Sequence, residues 1–225
     1  MREAEKKQKV GILGGTFDPV HKGHMAVARM VLERFQLAEL FFVPAFSPPH
    51  KDRSLTAFPH RVAMLEAALA GDDRMSVSIL EAERSAPSYT VETLREFHRR
   101  MGSSSFYLVM GADMFAEIEL WYRFGELFEL ADIIVASRPG VSAGKIAKQV
   151  AMLPGMFRFD AEQQMWCRND GARIFYCPDI SETVSSSQIR ARFCRGSSVV
   201  EYLPPSVWEY IQRHGLYSCC SGDVH

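Results

Sequence analysis

Two histidines three positions apart, His21 and His24, follow closely on a glycine pair, Gly14-Gly15. At the start of a helix, side chains at i and i+3 project from one face. Two imidazoles on such a face can hydrogen-bond phosphate oxygens and spread the charge that develops during phosphoryl or nucleotidyl transfer. Glycines at a strand end let backbone N–H groups approach a polyphosphate, and the helix N-terminus that follows adds a favourable dipole. Gly23 keeps the face between the histidines open to a bulky ligand. Taken singly, each feature has a plainer reading: a glycine pair makes ordinary turns, and a histidine near a helix start serves as a cap. His-x-x-His also makes half a metal site, but no third Cys, His or Asp ligand is obvious nearby. The G-x-G-x-x-G spacing of a dinucleotide fold is absent, as is a Walker A loop.

The elements around this stretch follow from hydrophobic spacing. Residues 10–13 form an apolar run ending in the glycine pair, the pattern of a buried strand entering a turn. Met25, Ala28, Val31, Leu32 and Phe35 recur at helical spacing. Residues 40–44 read as a second strand, closed by the proline-stiffened loop Ser47-Pro48-Pro49-His50-Lys51. Helix over 61–70, strand over 75–80, helix over 90–101 and strands over 106–110 and 133–137 follow in turn. Strands alternating with helices predict βαβ units, giving a Rossmann-like open parallel sheet with helices on both faces. Residues 141–171 read as an insertion with a short helical pattern over 145–153 and a polar stretch over 160–164. Residues 174–176 are a last strand. The expected division is a polar tail (1–9), an α/β domain (10–180), a small C-terminal helical extension (181–217) opened by a Ser-rich loop, and a second tail (218–225).

Composition narrows the function classes. The chain has 225 residues, 47% of them hydrophobic, enough for a sizeable core. Its 26 basic and 27 acidic residues give a net charge of −1, which argues against a general nucleic-acid or membrane surface. Five cysteines, an odd count with no C-x-x-C pair, suggest reduced thiols. No signal peptide precedes the first strand and no apolar run spans a membrane, so a cytoplasmic protein is expected. The sequence carries no signature of a particular oligomer.

As one string, Gly14-Gly15-Thr16-Phe17-Asp18-Pro19-Val20-His21-Lys22-Gly23-His24 resembles the signature of the H-x-G-H nucleotidylyltransferases. Five further segments, in the same order along the chain, are similar to those of bacterial nicotinate-nucleotide adenylyltransferases. They are Pro48-Pro49-His50-Lys51, Ala86-Pro87-Ser88-Tyr89-Thr90, Gly111-Ala112-Asp113 with Trp121-Tyr122, Ser137-Arg138-Pro139-Gly140, and Val184-Ser185-Ser186-Ser187-Gln188-Ile189-Arg190. Val184 and Ser187 stand where that family usually has Ile and Thr, and both keep the chemistry.

The resemblance implies ATP and nicotinate mononucleotide as substrates, with Mg²⁺ bound through the ATP oxygens rather than in a carboxylate cage. It assigns Gly14, Gly15, Thr16, Phe17, His21 and His24 to the ATP phosphates. Ser186, Ser187 and Arg190 form a second cradle at the β/γ end, where capping hydroxyls, helix N–H groups and a guanidinium converge. His21, His24 and Arg190 are the expected catalytic groups. Arg138 resembles a position near the adenine, and Lys22 is a further cation close to the polyphosphate. For the acceptor, Trp121 is expected to stack on the nicotinate ring. Main-chain N–H groups near Thr90 and Tyr122 would hold its carboxylate, selecting acid over amide. Asp113 would accept from a ribose hydroxyl, and His50 with Lys51 would bind the mononucleotide phosphate. A transferase acting on another phosphorylated acceptor and a non-catalytic nucleotide-binding module are the competing readings. A class I aminoacyl-tRNA synthetase is disfavoured by the short chain.

Overall fold

The computed structural model describes residues 7–47, 55–84, 87–137, 142–178 and 184–217. It opens with β1 (Lys9–Gly15), α1 (Lys22–Phe35), β2 (Glu39–Pro44), α2 (Phe58–Leu69) and β3 (Met75–Val77). The chain then returns to the other side of β1 through α3 (Thr90–Met101), β4 (Ser105–Gly111), α4 (Ala112–Ala116), a 3₁₀ turn (Ile118–Leu120), α5 (Phe124–Leu130) and β5 (Asp132–Ala136). After α6 (Ala143–Met152) come β6 (Arg158–Asp160), β7 (Met165–Cys167) and β8 (Arg173–Cys177), and α7 (Ser186–Cys194) and α8 (Pro205–His214) follow.

The strands form one sheet in the order β3-β2-β1-β4-β5-β8-β7-β6. Pairing is parallel from β3 through β8, whereas β7 and β6 add on antiparallel. This refines the expectation for residues 141–171, which contribute the last two strands at one side of the sheet as well as a helix. The polar stretch within them is the hairpin turn, where the Asp160 carboxylate accepts the N–H groups of Glu162 and Gln163. A second refinement concerns β3, which stops at Val77. Beyond it the Ser78 N–H still bonds the Phe42 carbonyl, but the chain turns off the sheet.

Alternation along the strands divides the interior into two layers. Phe106, Leu108 and Met110 of β4 join Val91, Leu94 and Phe97 of α3, Leu127 and Phe128 of α5, and Ile146 and Val150 of α6. Tyr107 and Val109, pointing the other way, join Met25, Ala28, Val31 and Leu32 of α1, Met64 and Leu65 of α2, Ile189 of α7 and Ile211 of α8. Each fully buried aliphatic or aromatic side chain contributes roughly 1.5–3 kcal/mol from the surface it removes from water. Helices therefore cover both faces, and α7 and α8 lie on the α1 face. Gly11 makes the α1 side close enough to pack, since a Cβ there would come within 2.8 Å of Leu37 Cδ1. The order of strands reverses between β1 and β4, where the connections diverge to opposite sides. Ligands of open α/β sheets bind in the crevice at such a point, beyond the strand carboxyl ends. Among the described residues, no helix is long and apolar enough to cross a membrane.

Candidate active site

The crevice between the ends of β1 and β4 is a cleft of about 360 Å³. Its floor is Leu13, Gly14 and Gly15 from β1 with Met110 and Gly111 from β4, and Ala136 closes it from β5. A Cβ at Gly14 would meet no atom within 4 Å, so the glycine leaves the floor open where a side chain would begin to fill it.

The loop after Gly15 turns sharply. Phe17 adopts a left-handed φ of 51° and drives its ring into the core, where it is 2% exposed. That ring meets His24 edge-on at 5.0 Å and so supports the imidazole from below. The peptide before Pro19 is cis. His21 caps α1 in an extended conformation, and its ring stacks on His24 at 3.7 Å. The His24 Nδ1 accepts the backbone N–H of His21 at 3.2 Å. An imidazole nitrogen that accepts there carries no proton, so neutral His24 bears its proton on Nε2 and offers that N–H as a donor.

The opposite lip comes from α7. Ser185 caps it, accepting the Gln188 N–H at 3.2 Å while the Gln188 side chain accepts the Ser185 N–H at 2.8 Å. This reciprocal pairing fixes the helix start and leaves Ser185, Ser186, Ser187 and Arg190 along the cleft. Arg190 donates through Nη1 to the Asp18 carbonyl at 2.6 Å and through Nη2 to Ser187 Oγ at 3.4 Å. Ser186 Oγ donates to the Pro19 carbonyl at 2.9 Å. Two distant pieces of chain, loop 16–19 and the start of α7, are thereby joined into one anion-facing surface.

Arg61 holds the same loop from beneath. It is 2% exposed on the buried stripe of α2, donating to the Thr16 carbonyl at 2.8 Å and to the Thr56 carbonyl at 3.0 Å. Burial pulls its guanidinium below the usual arginine range, and nearby Asp18 opposes that shift. The Asp18 carboxylate is itself buried and takes the Tyr217 hydroxyl at 2.5 Å and the Thr56 N–H at 3.3 Å. Among the described residues no three His, Cys, Asp or Glu side chains converge as a metal cage. Asp18, the carboxylate within the loop, is already committed to protein donors.

Of the residues singled out from sequence, Gly14, Gly15, Thr16, Phe17, His21, His24, Asp113, Ser186, Ser187 and Arg190 line this one cleft. Asp113 sits in the first turn of α4, directly after β4. Lys22 does not line it: its ammonium donates to the Glu201 carbonyl at 2.8 Å. Thr90, Trp121 and Tyr122 form a separate wall. Thr90 opens α3, Trp121 ends the 3₁₀ turn half-buried against the core, and the exposed Tyr122 ring stacks on Tyr89 at 4.5 Å. The buried Glu81 carboxylate braces this wall, taking Thr93 Oγ1 at 2.8 Å and the Phe46 N–H at 3.4 Å. His50, Lys51 and Arg138 lie outside the described residues.

Sequence reasoning missed Asp18, Arg61, Glu81 and Tyr217 as parts of this framework. Arg61 carried a usable signal, being a charge on the apolar stripe of a helix, which requires buried partners. Tyr217 carried none, because its partner stands 199 residues earlier.

Comparison with known proteins agrees with this geometry. A family model described as cytidylyltransferase-like matches residues 12–192. A nicotinate-nucleotide adenylyltransferase of Syntrophotalea carbinolica is 35% identical over 93% of this chain and 97% of its own length. One from a Marinomonas species is 34% identical over 94% and 96%. The fold matches the Plasmodium falciparum nicotinic acid mononucleotide adenylyltransferase solved with NaAD, at a TM-score of 0.73 and 21% identity, covering 93% of this chain and 97% of that one. With the match running through both lips of the cleft, this chain belongs to the cytidylyltransferase-like family and, within it, to the nicotinate-nucleotide adenylyltransferases.

Proposed function

We propose that this protein transfers the adenylyl group of ATP to nicotinate mononucleotide, forming nicotinate adenine dinucleotide and pyrophosphate in NAD biosynthesis. The observation that carries the reading is the convergence of His21, His24, the glycine pair and the α7 start with Arg190 around one cleft at the sheet's switch point. A 5′-phosphate oxygen of the mononucleotide attacks the α-phosphorus of ATP, and the bond to the α,β-bridging oxygen breaks in line, releasing pyrophosphate. The attacking phosphate is already anionic, so neither a general base nor a covalent enzyme intermediate is needed. Catalysis rests on positioning and on donors aimed at developing charge.

Within this reading the His24 Nε2–H and His21 stabilise the α-phosphate region, and Ser186, Ser187 and Arg190 hold the β/γ end. Main-chain groups of residues 14–17 complete the ATP site, with Arg138 toward the adenine. Asp113 accepts from a ribose hydroxyl. Trp121 stacks on the pyridine, N–H groups near Thr90 and Tyr122 take its carboxylate, and His50 and Lys51 take the acceptor phosphate. Among the described residues no metal cage is found, and Mg²⁺ is assigned to the reaction as part of the MgATP substrate. Residues 10–180 form the catalytic unit, with 141–171 as its insertion and 181–217 as its closing extension. A cytoplasmic location suits its cysteines, since Cys167, Cys177 and Cys194 are free thiols.

Purified protein with MgATP and a panel of acceptors tests this reading by pyrophosphate release. Nicotinate mononucleotide is expected to turn over fastest, ahead of nicotinamide mononucleotide, phosphopantetheine and glycerol phosphate. Preference for the amide overturns the acceptor assignment, and release without any acceptor overturns the transfer itself.

A further inference from the structure

Tyr217 stands two residues beyond the left-handed Gly215 that ends α8, and takes a left-handed φ of 62° itself. A bulky residue adopts that conformation only where its surroundings compensate the strain. The compensation is visible. The ring packs 5.4 Å from Phe193 of α7, and the hydroxyl donates to Asp18 Oδ1 at 2.5 Å. Asp18 is 1% exposed and lies inside the motif between Gly14 and His24.

A buried carboxylate beside a polyphosphate site is an electrostatic hazard. It repels the ligand and competes for the cation that should bind it. Arg190 is the cation in question. Its Nη1 is bonded to the Asp18 main-chain carbonyl at 2.6 Å and sits 4.0 Å from Asp18 Oδ2, a long ion pair at the outer limit of such contacts. Among the described residues, two of the five guanidinium N–H donors are hydrogen-bonded to protein acceptors, leaving three for a ligand. What competes with Arg190 for the carboxylate, and leaves that pair long, is the supply of other donors, the Tyr217 hydroxyl on Oδ1 and the Thr56 N–H on Oδ2. Burial and the adjacent carboxylate both push the phenol's ionisation upward, so the hydroxyl stays protonated as a donor.

We propose that Tyr217 is a positioning residue for the ATP site: by occupying the Asp18 carboxylate it keeps the Arg190 guanidinium free to face the triphosphate. The C-terminal segment thus sets the state of a loop at the far end of the sequence. This inference rests on the assignment of Arg190 to ATP, and it goes beyond that assignment by naming the group that controls Arg190.

The test is steady-state kinetics of Tyr217→Phe, which removes one oxygen, alongside Arg190→Ala and the double variant Tyr217→Phe/Asp18→Asn. Tyr217→Phe is expected to raise KM for ATP roughly 10-fold, the scale of one hydrogen bond to a charged group, with KM for the acceptor unchanged. Replacing the carboxylate by an amide in the same background removes the competitor for Arg190, so the double variant is expected to recover most of the lost ATP affinity. A tyrosine serving only to fill space predicts that Tyr217→Phe, which keeps the ring, leaves KM for ATP unchanged. Equal effects on both substrates, no effect on ATP, or a double variant worse than Tyr217→Phe would each overturn the proposal. Should Arg190→Ala leave KM for ATP untouched, the ATP assignment of Arg190 falls and takes the proposal with it. Should Arg190→Ala weaken ATP while Tyr217→Phe does not, the proposal alone fails.

Discussion

At the scale of single residues, the cleft works through donors whose orientation is set before any ligand arrives. His24 is the clearest case. Its Nδ1 is bonded to the His21 N–H and its ring is held between His21 and Phe17, so Nε2–H has a fixed direction. A donor placed in advance costs no reorganisation at the moment of bond exchange. His24→Gln retains an N–H donor but loses the fixed ring, and is expected to keep more turnover than His24→Ala, measured as kcat at saturating substrates. Equal loss in the two variants would argue that the ring's bulk rather than its donor matters. Trp121 belongs to the other wall. Base-on-aromatic stacking is worth about 1–3 kcal/mol, so Trp121→Ala is expected to raise KM for nicotinate mononucleotide about 10-fold or more while leaving KM for ATP within about twofold. Equal weakening of both substrates removes the stacking role.

Elements position these residues by joining segments that are remote in sequence. The strand and helix order from β1 to β5 is legible because each element has a strong period: three-four spacing in α1 and α3, apolar runs in β1, β4 and β5. The short pieces α4 and α5 are hidden, since five and seven residues hold too few turns to show a period and the aromatic run around Trp121 masks their polar breaks. The hairpin β6–β7 is hidden for another reason. With three residues each, its strands gain their identity from pairing, β7 with β8 and β6 with β7, rather than from local pattern. The site was legible where one local string carries it, residues 14–24 and 184–190. It was not where a brace comes from elsewhere, as with Glu81 behind α3 or Arg61 under loop 16–19. Arg61 offers an element-scale prediction. Its two bonds to carbonyls on different segments need the planar fork of a guanidinium. Arg61→Lys is expected to cost about 1–3 kcal/mol in urea unfolding, the price of one buried carbonyl left unsatisfied. An unchanged unfolding free energy would show that the loop holds without it.

For the whole molecule, two packed layers share one sheet, and the face carrying α1, α2, α7 and α8 is where the loop after β1 meets Ser186, Arg190 and Tyr217 beside the cleft. That layer also contains Cys177 at the end of β8, fully buried. Burial pushes its thiol from 9.0 up to about 11, with Arg34 pulling weakly the other way. A group whose folded-state value is raised contributes stability that is intact below its unfolded value and is lost as pH climbs through the folded one. Urea unfolding midpoints should therefore hold to about pH 9 and fall between pH 9 and about 11, with Tyr107 and Tyr217, both raised by burial, adding to the decline at the upper end. Cys177→Ala should start from a lower midpoint yet fall less over that window; an identical fall would place the alkaline sensitivity elsewhere. The central claim concerns the cleft itself, that residues 14–24 bind the ATP phosphates and stabilise the charge of adenylyl transfer. Single-turnover formation of nicotinate adenine dinucleotide by His24→Ala, in protein shown by circular dichroism and unfolding midpoint to be folded, tests it most directly. A rate lower by at least roughly 10²–10³-fold is the predicted result, and a folded His24→Ala protein that still turns over near the wild-type rate would contradict it.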